Sequence, residues 1–441
     1  MIAGGVVTPV SLVPGNYPSS AVRHDPSESL IGLRGAEWVF PGCARQFRRA
    51  GWLLDGWEIG MKRTLRMSVA GVAVLAALAV SAAPAGAVAA PVGATGARAG
   101  GVEREGLQRE LDEVAAGTAV GVLAEVRDED GVWRGTSGVA VMGTPRPVPV
   151  DGRFRAGSIT KTFVATVLLQ LVDEGLVRLD DSVERWLPGV VPNGRSITLR
   201  QLLNHTSGLY DYVKTLAMPP SAEFFAGRWR TWTASEQISQ ALAHPPTSEV
   251  PGSEYAYSNT GYLLLGQVIQ KVTGRTYAKE IDRRLIRPLG LHGTSVPGTS
   301  PWIPGPHPHG YVPTDLSLTH YIDYTELNPT LFGASGDMIS TTKDLNRFFA
   351  ALLAGRLLPK HLLKEMETPG TPTRNYGLGL SWKTTTCGLR VYGNDGDALA
   401  YNAWSFSTAD GRHQVSIALT PNFRGDPDTA VNAFTDKAIC G

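Results

Sequence analysis

The stretch Phe154-Arg-Ala-Gly-Ser-Ile-Thr-Lys161 decides how the rest of the chain is read. It puts a serine, Ser158, at the mouth of a helix and a lysine, Lys161, one turn later on the same face. Phe163, Val164, Val167, Leu168 and Leu171 recur at helical spacing, and Gly175 stands where a left-handed stop is expected. Lys161 can therefore reach the Ser158 hydroxyl. The N–H groups of the helix start favour negative charge developing beside it. Nucleophile, amine and anion-stabilising backbone in one segment make an acylation device. A serine before a helix is more often only an N-cap, so the reading depends on what the rest of the chain adds.

The 441 residues are long enough for two or three domains. With 41 Lys and Arg against 40 Asp and Glu, charge is balanced, which argues against nucleic acid or an anionic membrane surface as the main partner. Residues 1–60 are rich in Pro and Gly, carry Cys43 and show no periodicity. At Met61 a different pattern begins: Lys62, Arg63 and Arg66, an apolar run from Met67 to Val80, then Ala85-Gly-Ala87 and Ala87-Val-Ala89. That order is a secretory signal peptide over 61–89, too short in its apolar part for a membrane anchor. Residues 1–60 are then expected to be a mis-called, disordered extension with Met61 as the start, and 90–102 a linker. Cleavage would leave Cys387 and Cys440, an even pair that suggests one disulfide in a secreted protein.

The domain is expected over 103–441. Arg104 to Val114 reads as a helix. Ala119 to Val126 and Val132 to Val141 read as paired strands about a turn at Asp128-Glu-Asp-Gly131. From about 176 to 330 the pattern is helical patches broken by Pro and Gly. Strand character returns near 376, with Tyr401 to Phe406 and Gln414 to Leu419 as a hairpin, and Asp428 to Ala438 as a closing helix. The expected fold is α/β of the α+β type: a mixed or antiparallel sheet built from both chain ends, flanked by helices, with a mainly helical insertion.

Pro251-Gly-Ser-Glu-Tyr-Ala-Tyr-Ser-Asn-Thr260 precedes a helix expected over Gly261 to Val272. Tyr257 and Asn259 lie two apart on what reads as an extended segment, so both side chains can point one way. A tyrosine beside Ser158 and Lys161 can serve as general base and then acid; an asparagine can bind a substrate amide.

Ser158-x-x-Lys161 with Tyr257-x-Asn259 about a hundred residues later resembles the penicillin-recognising serine hydrolases, in the branch of class C β-lactamases and secreted D-alanyl-D-alanine carboxypeptidases. Leu202-Leu-Asn-His-Thr-Ser-Gly-Leu209, Arg287-Pro-Leu-Gly-Leu291 and Gly336-Asp-Met-Ile-Ser-Thr-Thr-Lys-Asp-Leu345 add to the resemblance, which covers 103–441. It implies that Ser158 is acylated, that Lys161 and Tyr257 manage its proton, and that Asn259 holds the substrate amide. It implies an oxyanion site between the N–H groups of Ser158 and Asp397, and a structural role for the His205 segment. Cys387 and Cys440 resemble the disulfide pair of the secreted carboxypeptidases. No cofactor is implied, and no metal-ligand spacing occurs. The expected partners are small peptides or peptidoglycan fragments, and β-lactams; the chain is taken to act as a monomer.

The third motif departs from the family. Its relatives carry His-Thr-Gly-Thr or Lys-Thr-Gly where this chain reads Asn394-Asp395-Gly396-Asp397. A helpful arginine of the relatives falls at Ser381. Strand alternation sends Asp395 and Asp397 to one face and Asn394 to the other. Each carboxylate about 7 Å from a substrate carboxylate would repel it by roughly 2 kcal/mol at an effective dielectric of about 20. Lys383, two residues after Ser381, is expected to compensate in part. The readings are ranked accordingly: a D-alanyl-D-alanine carboxypeptidase-like hydrolase; the same machinery as a D-stereospecific aminopeptidase, amidase or esterase, or a β-lactamase; and a peptidoglycan-binding relative without turnover.

Overall fold

The first and the last strand of the described residues pair in one antiparallel sheet. A computed structural model describes residues 104–441; the expectations for 1–60, 61–89 and 90–102, and for Cys43, lie outside the described residues. Helix α1 (Arg104–Thr118) leads into strands β1 (Ala119–Asp128) and β2 (Gly131–Gly138). After it come helices α2 (Thr160–Asp173), α3 (Asn259–Thr273) and α4 (Thr342–Leu353). Strands β3 (Ser381–Thr384), β4 (Arg390–Asp397), β5 (Asn402–Thr408) and β6 (Gln414–Pro421) follow, and helix α5 (Pro427–Cys440) closes the chain. The sheet order is β2-β1-β6-β5-β4-β3, with every neighbouring pair antiparallel.

The sheet is covered on both faces, and its central strands show why. Val415, Ile417 and Leu419 of β6 pack with Val122, Ala124 and Val126 of β1 against Leu107, Leu111, Val431 and Phe434 of the terminal helices. The alternate residues Leu123 and Ala418 join the larger core beneath α2, α3 and α4. Ser416 and Glu125, on that second face, are buried but satisfied: Ser416 Oγ donates to Asn346 Oδ1 at 2.7 Å, and Arg134 Nε donates to Glu125 at 2.7 Å. A period-2 strand with both faces apolar must be central.

The region between β2 and β3 is mainly helical, as its Pro- and Gly-broken patches lead one to expect. It also holds a small hairpin, Tyr311–Pro313 with Tyr321–Asp323, that the helical reading did not include. Cys387 and Cys440 are joined across 53 residues, tying the β3–β4 turn to the end of α5. Among the described residues, no helix is long and apolar enough to cross a membrane.

Candidate active site

Ser158 lies on a 3-10 turn, Gly157–Ile159, that runs directly into α2. Its hydroxyl makes no capping bond, so the ordinary reading of a serine before a helix does not apply. The turn is held by Ala156 N donating to the Met338 carbonyl at 2.8 Å and by the short strand pairing of Phe154–Arg155 with Ile339–Ser340. Helix α2 then carries Lys161 one turn on and ends before Gly175, whose φ of 70° supplies the left-handed stop.

Two groups meet at the Ser158 hydroxyl. Tyr257 Oη lies 2.7 Å from Ser158 Oγ, and Lys161 Nζ lies 2.9 Å from it. Lys161 is fully buried and also donates to Asn259 Oδ1 and to the Ser335 carbonyl, both at 2.7 Å. Burial pulls the Lys161 ammonium down to about 7, against the opposing fields of Asp211 and Asp395. Burial drives the Tyr257 phenol the other way, well above its ordinary value. At neutral pH the site therefore holds a phenol beside an amine that is in part unprotonated. An unprotonated Lys161 donates its two hydrogens to Asn259 and Ser335 and turns its lone pair to Ser158.

Tyr257 and Asn259 do converge, though not from one extended strand. Only Tyr257 and Ser258 precede the helix; Asn259 is its first residue, two positions ahead of the expected start. The N-cap Ser258 makes no side-chain cap, and Asp211 supplies it instead, accepting from Asn259 N at 3.1 Å. Asn259 Nδ2 also donates to Asp211, so both ends of the amide are engaged within the protein.

The oxyanion site follows from two glycines. A Cβ on Gly396 would lie 2.0 Å from the Ala156 carbonyl oxygen and 2.8 Å from Ser158 N; one on Gly157, at φ 52°, would lie 2.7 Å from Asp397 N. Strand β4 thus runs backbone to backbone against the serine turn. Asp397 is opposite Asn402, and Ala398 N donates to the Tyr401 carbonyl, so Asp397 N–H points away from β5 and toward Ser158. The N–H groups of Ser158 and Asp397 are placed to receive one oxygen.

Asn394 is turned inward, where its Nδ2 donates to Thr162 Oγ1 at 3.2 Å. Asp395 and Asp397 project to the opposite face, beyond the part of β4 that α5 covers, and both reach solvent. Crowding by protein pushes the Asp397 carboxyl up to about 6 and raises Asp395 as well; the access of solvent to both moderates that push. Lys383 compensates only in part, as expected, through the field it exerts on Asp395 and not through an ion pair. Its Nζ donates to Asn432 Oδ1 at 2.6 Å and lies over the Phe406 ring. Ser381, in the place of the relatives' arginine, donates to the Gly393 carbonyl.

Sequence reasoning passed over Asp211 and Ser335. Asp211 follows Leu209 by two residues, just past a quoted motif, and Ser335 immediately precedes another. A buried carboxylate or a backbone carbonyl leaves no chemical signature in a linear motif. His205 supports Tyr257 from behind: it is buried, its ring centroid is 4.3 Å from that of Tyr257, and its Nδ1 accepts from Ser258 N. Burial holds its pKa well below the ordinary value, so it is a neutral packing partner. Among the described residues no cluster of ligating side chains could hold a metal ion.

The Beta-lactamase family model matches residues 106–439. The chain belongs to the beta-lactamase family. Within this family it is similar to the structure of a D-stereospecific amidohydrolase from Streptomyces sp., at 41% identity and a TM-score of 0.70, over 75% of this chain and 98% of that one. The D-amino acid amidase from Ochrobactrum anthropi SV3 is 29% identical, with a TM-score of 0.66, over 76% of this chain and 97% of that one. A penicillin-binding protein of Bacillus subtilis is 29% identical over 330 residues, 70% of this chain and 69% of that protein. The beta-lactamase-fold serine hydrolase machinery is thus common to the motifs, the geometry and the relatives.

Proposed function

We propose that this protein is an exported D-stereospecific amidohydrolase that forms an acyl-enzyme on Ser158 and prefers substrates whose leaving group carries no carboxylate. Unprotonated Lys161 takes the Ser158 proton as Oγ attacks the amide carbon. The developing oxyanion is held by the N–H groups of Ser158 and Asp397. The Tyr257 phenol passes a proton to the departing amine and takes one back from the attacking water in deacylation, while Lys161 returns its proton to Ser158 Oγ as the acyl group leaves. Export is supported by the signal-like segment at 61–89 and by the paired Cys387 and Cys440.

The observation that carries the leaving-group preference is the pair Asp395 and Asp397 beside the oxyanion site. The Asp395 field reaches Lys161, so it also reaches a leaving group bound against that site. A terminal carboxylate there meets repulsion, whereas an amide nitrogen or an ammonium does not. The similar structures, one named as a D-stereospecific amidohydrolase and one as a D-amino acid amidase, support the same choice. The carboxypeptidase reading ranks second; it rests on the shared motifs and the cysteine pair, and it requires a grip on carboxylate that Ser381 and Lys383 do not offer. The test compares turnover of D-phenylalanine amide, its L-enantiomer and a D-alanyl-D-alanine dipeptide, with Ser158→Ala as control. Faster turnover of the D-amide supports the proposal. Preference for the dipeptide, or rapid acylation of Ser158 by benzylpenicillin, gives the carboxypeptidase reading instead.

A further inference from the structure

The amide of Asn259 has two ends of the same shape, and catalysis tolerates only one orientation. Its oxygen must face Lys161. A nitrogen there would donate to the amine and occupy the lone pair that Ser158 needs. The orientation cannot come from Lys161 itself, because an unprotonated amine can donate or accept. It comes from the other side. Asp211 is 1% exposed, and both of its oxygens accept from Asn259 Nδ2, at 3.2 and 3.1 Å. The same carboxylate accepts from Asn259 N and from Val213 N. An ionised carboxylate has no hydrogen to give, so only the Nδ2 end can face it.

We propose that Asp211 is a positioning residue that fixes the Asn259 amide and thereby keeps the Lys161 lone pair on Ser158. It touches neither the nucleophile nor the reacting atoms and acts through Asn259. This rests on the acyl-enzyme reading of Ser158 alone, and not on the choice of leaving group. Lys161 also faces the Tyr257 and Tyr262 rings, feels Asp395, and lies close enough to His205 for their charges to interact. Asp211 is thus one of two carboxylates that favour its charged form.

The test is the rate at which a fluorophosphonate labels Ser158, followed by intact mass from pH 5 to 9. The proteins are the parent, Asp211→Asn, Asn259→Ala and the double variant. Asp211→Asn keeps an oxygen for the two backbone donors; Asp211→Ser, another good capping residue, is the second variant if the first does not fold. The expected plateau rate falls about 10- to 100-fold in Asp211→Asn, as for other groups that orient a ligand from behind. The midpoint moves to lower pH, because a charge favouring the ammonium has gone. In the Asn259→Ala background the same substitution costs less than about threefold. An equal loss in both backgrounds, or no loss, overturns the proposal. A parent that is not labelled overturns it together with the acyl-enzyme reading, whereas a labelled parent that spares D-amides touches only the leaving-group assignment.

Discussion

Lys161 Nζ lies 2.7 Å from the Ser335 carbonyl oxygen, a partner that can only accept. With Asn259 Oδ1 on a second side, the contact commits two hydrogens of the amine and leaves its third direction for Ser158. The unprotonated form is the competent base, and burial brings its pKa to about 7. Acylation by an uncharged ester is therefore expected to rise about tenfold per pH unit below 7 and to level off above it. Lys161→Met should lower the rate by about 10²- to 10⁴-fold. Pre-steady-state acylation rates from pH 5 to 9 check both; a flat profile would show that Lys161 is not the base.

Gly396 stands where no side chain fits. An added methyl would meet the Ala156 carbonyl oxygen at 2.0 Å and Ser158 N at 2.8 Å. Gly396→Ala should push β4 from the serine turn and spoil the two-donor oxyanion site, at a cost of about 10²-fold in kcat/KM. Gly117→Ala, with nothing within 4 Å of the new atom, is the control expected to leave turnover unchanged. Steady-state kinetics beside thermal melts separate a distorted site from an unfolded protein.

Asp395 and Asp397 make the leaving-group preference reversible by design. Exchanging both for threonine removes two negative charges near the site, and turnover of carboxylate-bearing dipeptides should rise by about one to three powers of ten in kcat/KM. Turnover of a neutral D-amide should change far less. Crowding pushes the Asp397 carboxyl up toward about 6, less what its solvent access takes back, so lowering the pH toward that value should relieve part of the repulsion in the parent and none in the double variant. Equal dipeptide rates for a folded double variant and the parent would count against the assignment.

What the chain discloses by itself depends on how local the information is. The acylating segment was legible because Ser158 and Lys161 lie on one turn, and because Gly175 marks where α2 stops. Both end strands were legible because Val415, Ile417 and Leu419 alternate with Ser416 and Ala418 in a buried sheet. Asp211 was not, since its partner Asn259 lies 48 residues away and nothing in Tyr210-Asp-Tyr212 marks it as buried. Lys383 was legible only in part for a related reason: its charge does act on Asp395, but its direct partner is elsewhere. Its place on the strand was right, but a long flexible side chain chose Asn432 on α5 over Asp395, and strand periodicity says nothing about such a choice.

Asp337 sits two residues beyond Ser335 and is buried, and its Oδ2 accepts from the Tyr277 hydroxyl while Oδ1 has no hydrogen-bond partner. Burial raises its carboxyl from 3.8 to about 7. Between those values the folded protein keeps a proton that the unfolded chain has released. Stability from this group is therefore greatest in acid and declines as the pH rises through that window, levelling off above about 7. Asp337→Asn cannot titrate and keeps an oxygen for Tyr277. The difference in Tm, variant minus parent, should grow as pH goes from 4.5 to 7.5, by about 3 °C or more. Taking the difference at each pH cancels the response of every other group. Scanning calorimetry at those two values is the check, and a difference that does not change with pH would mean that Asp337 is ionised in the folded protein throughout.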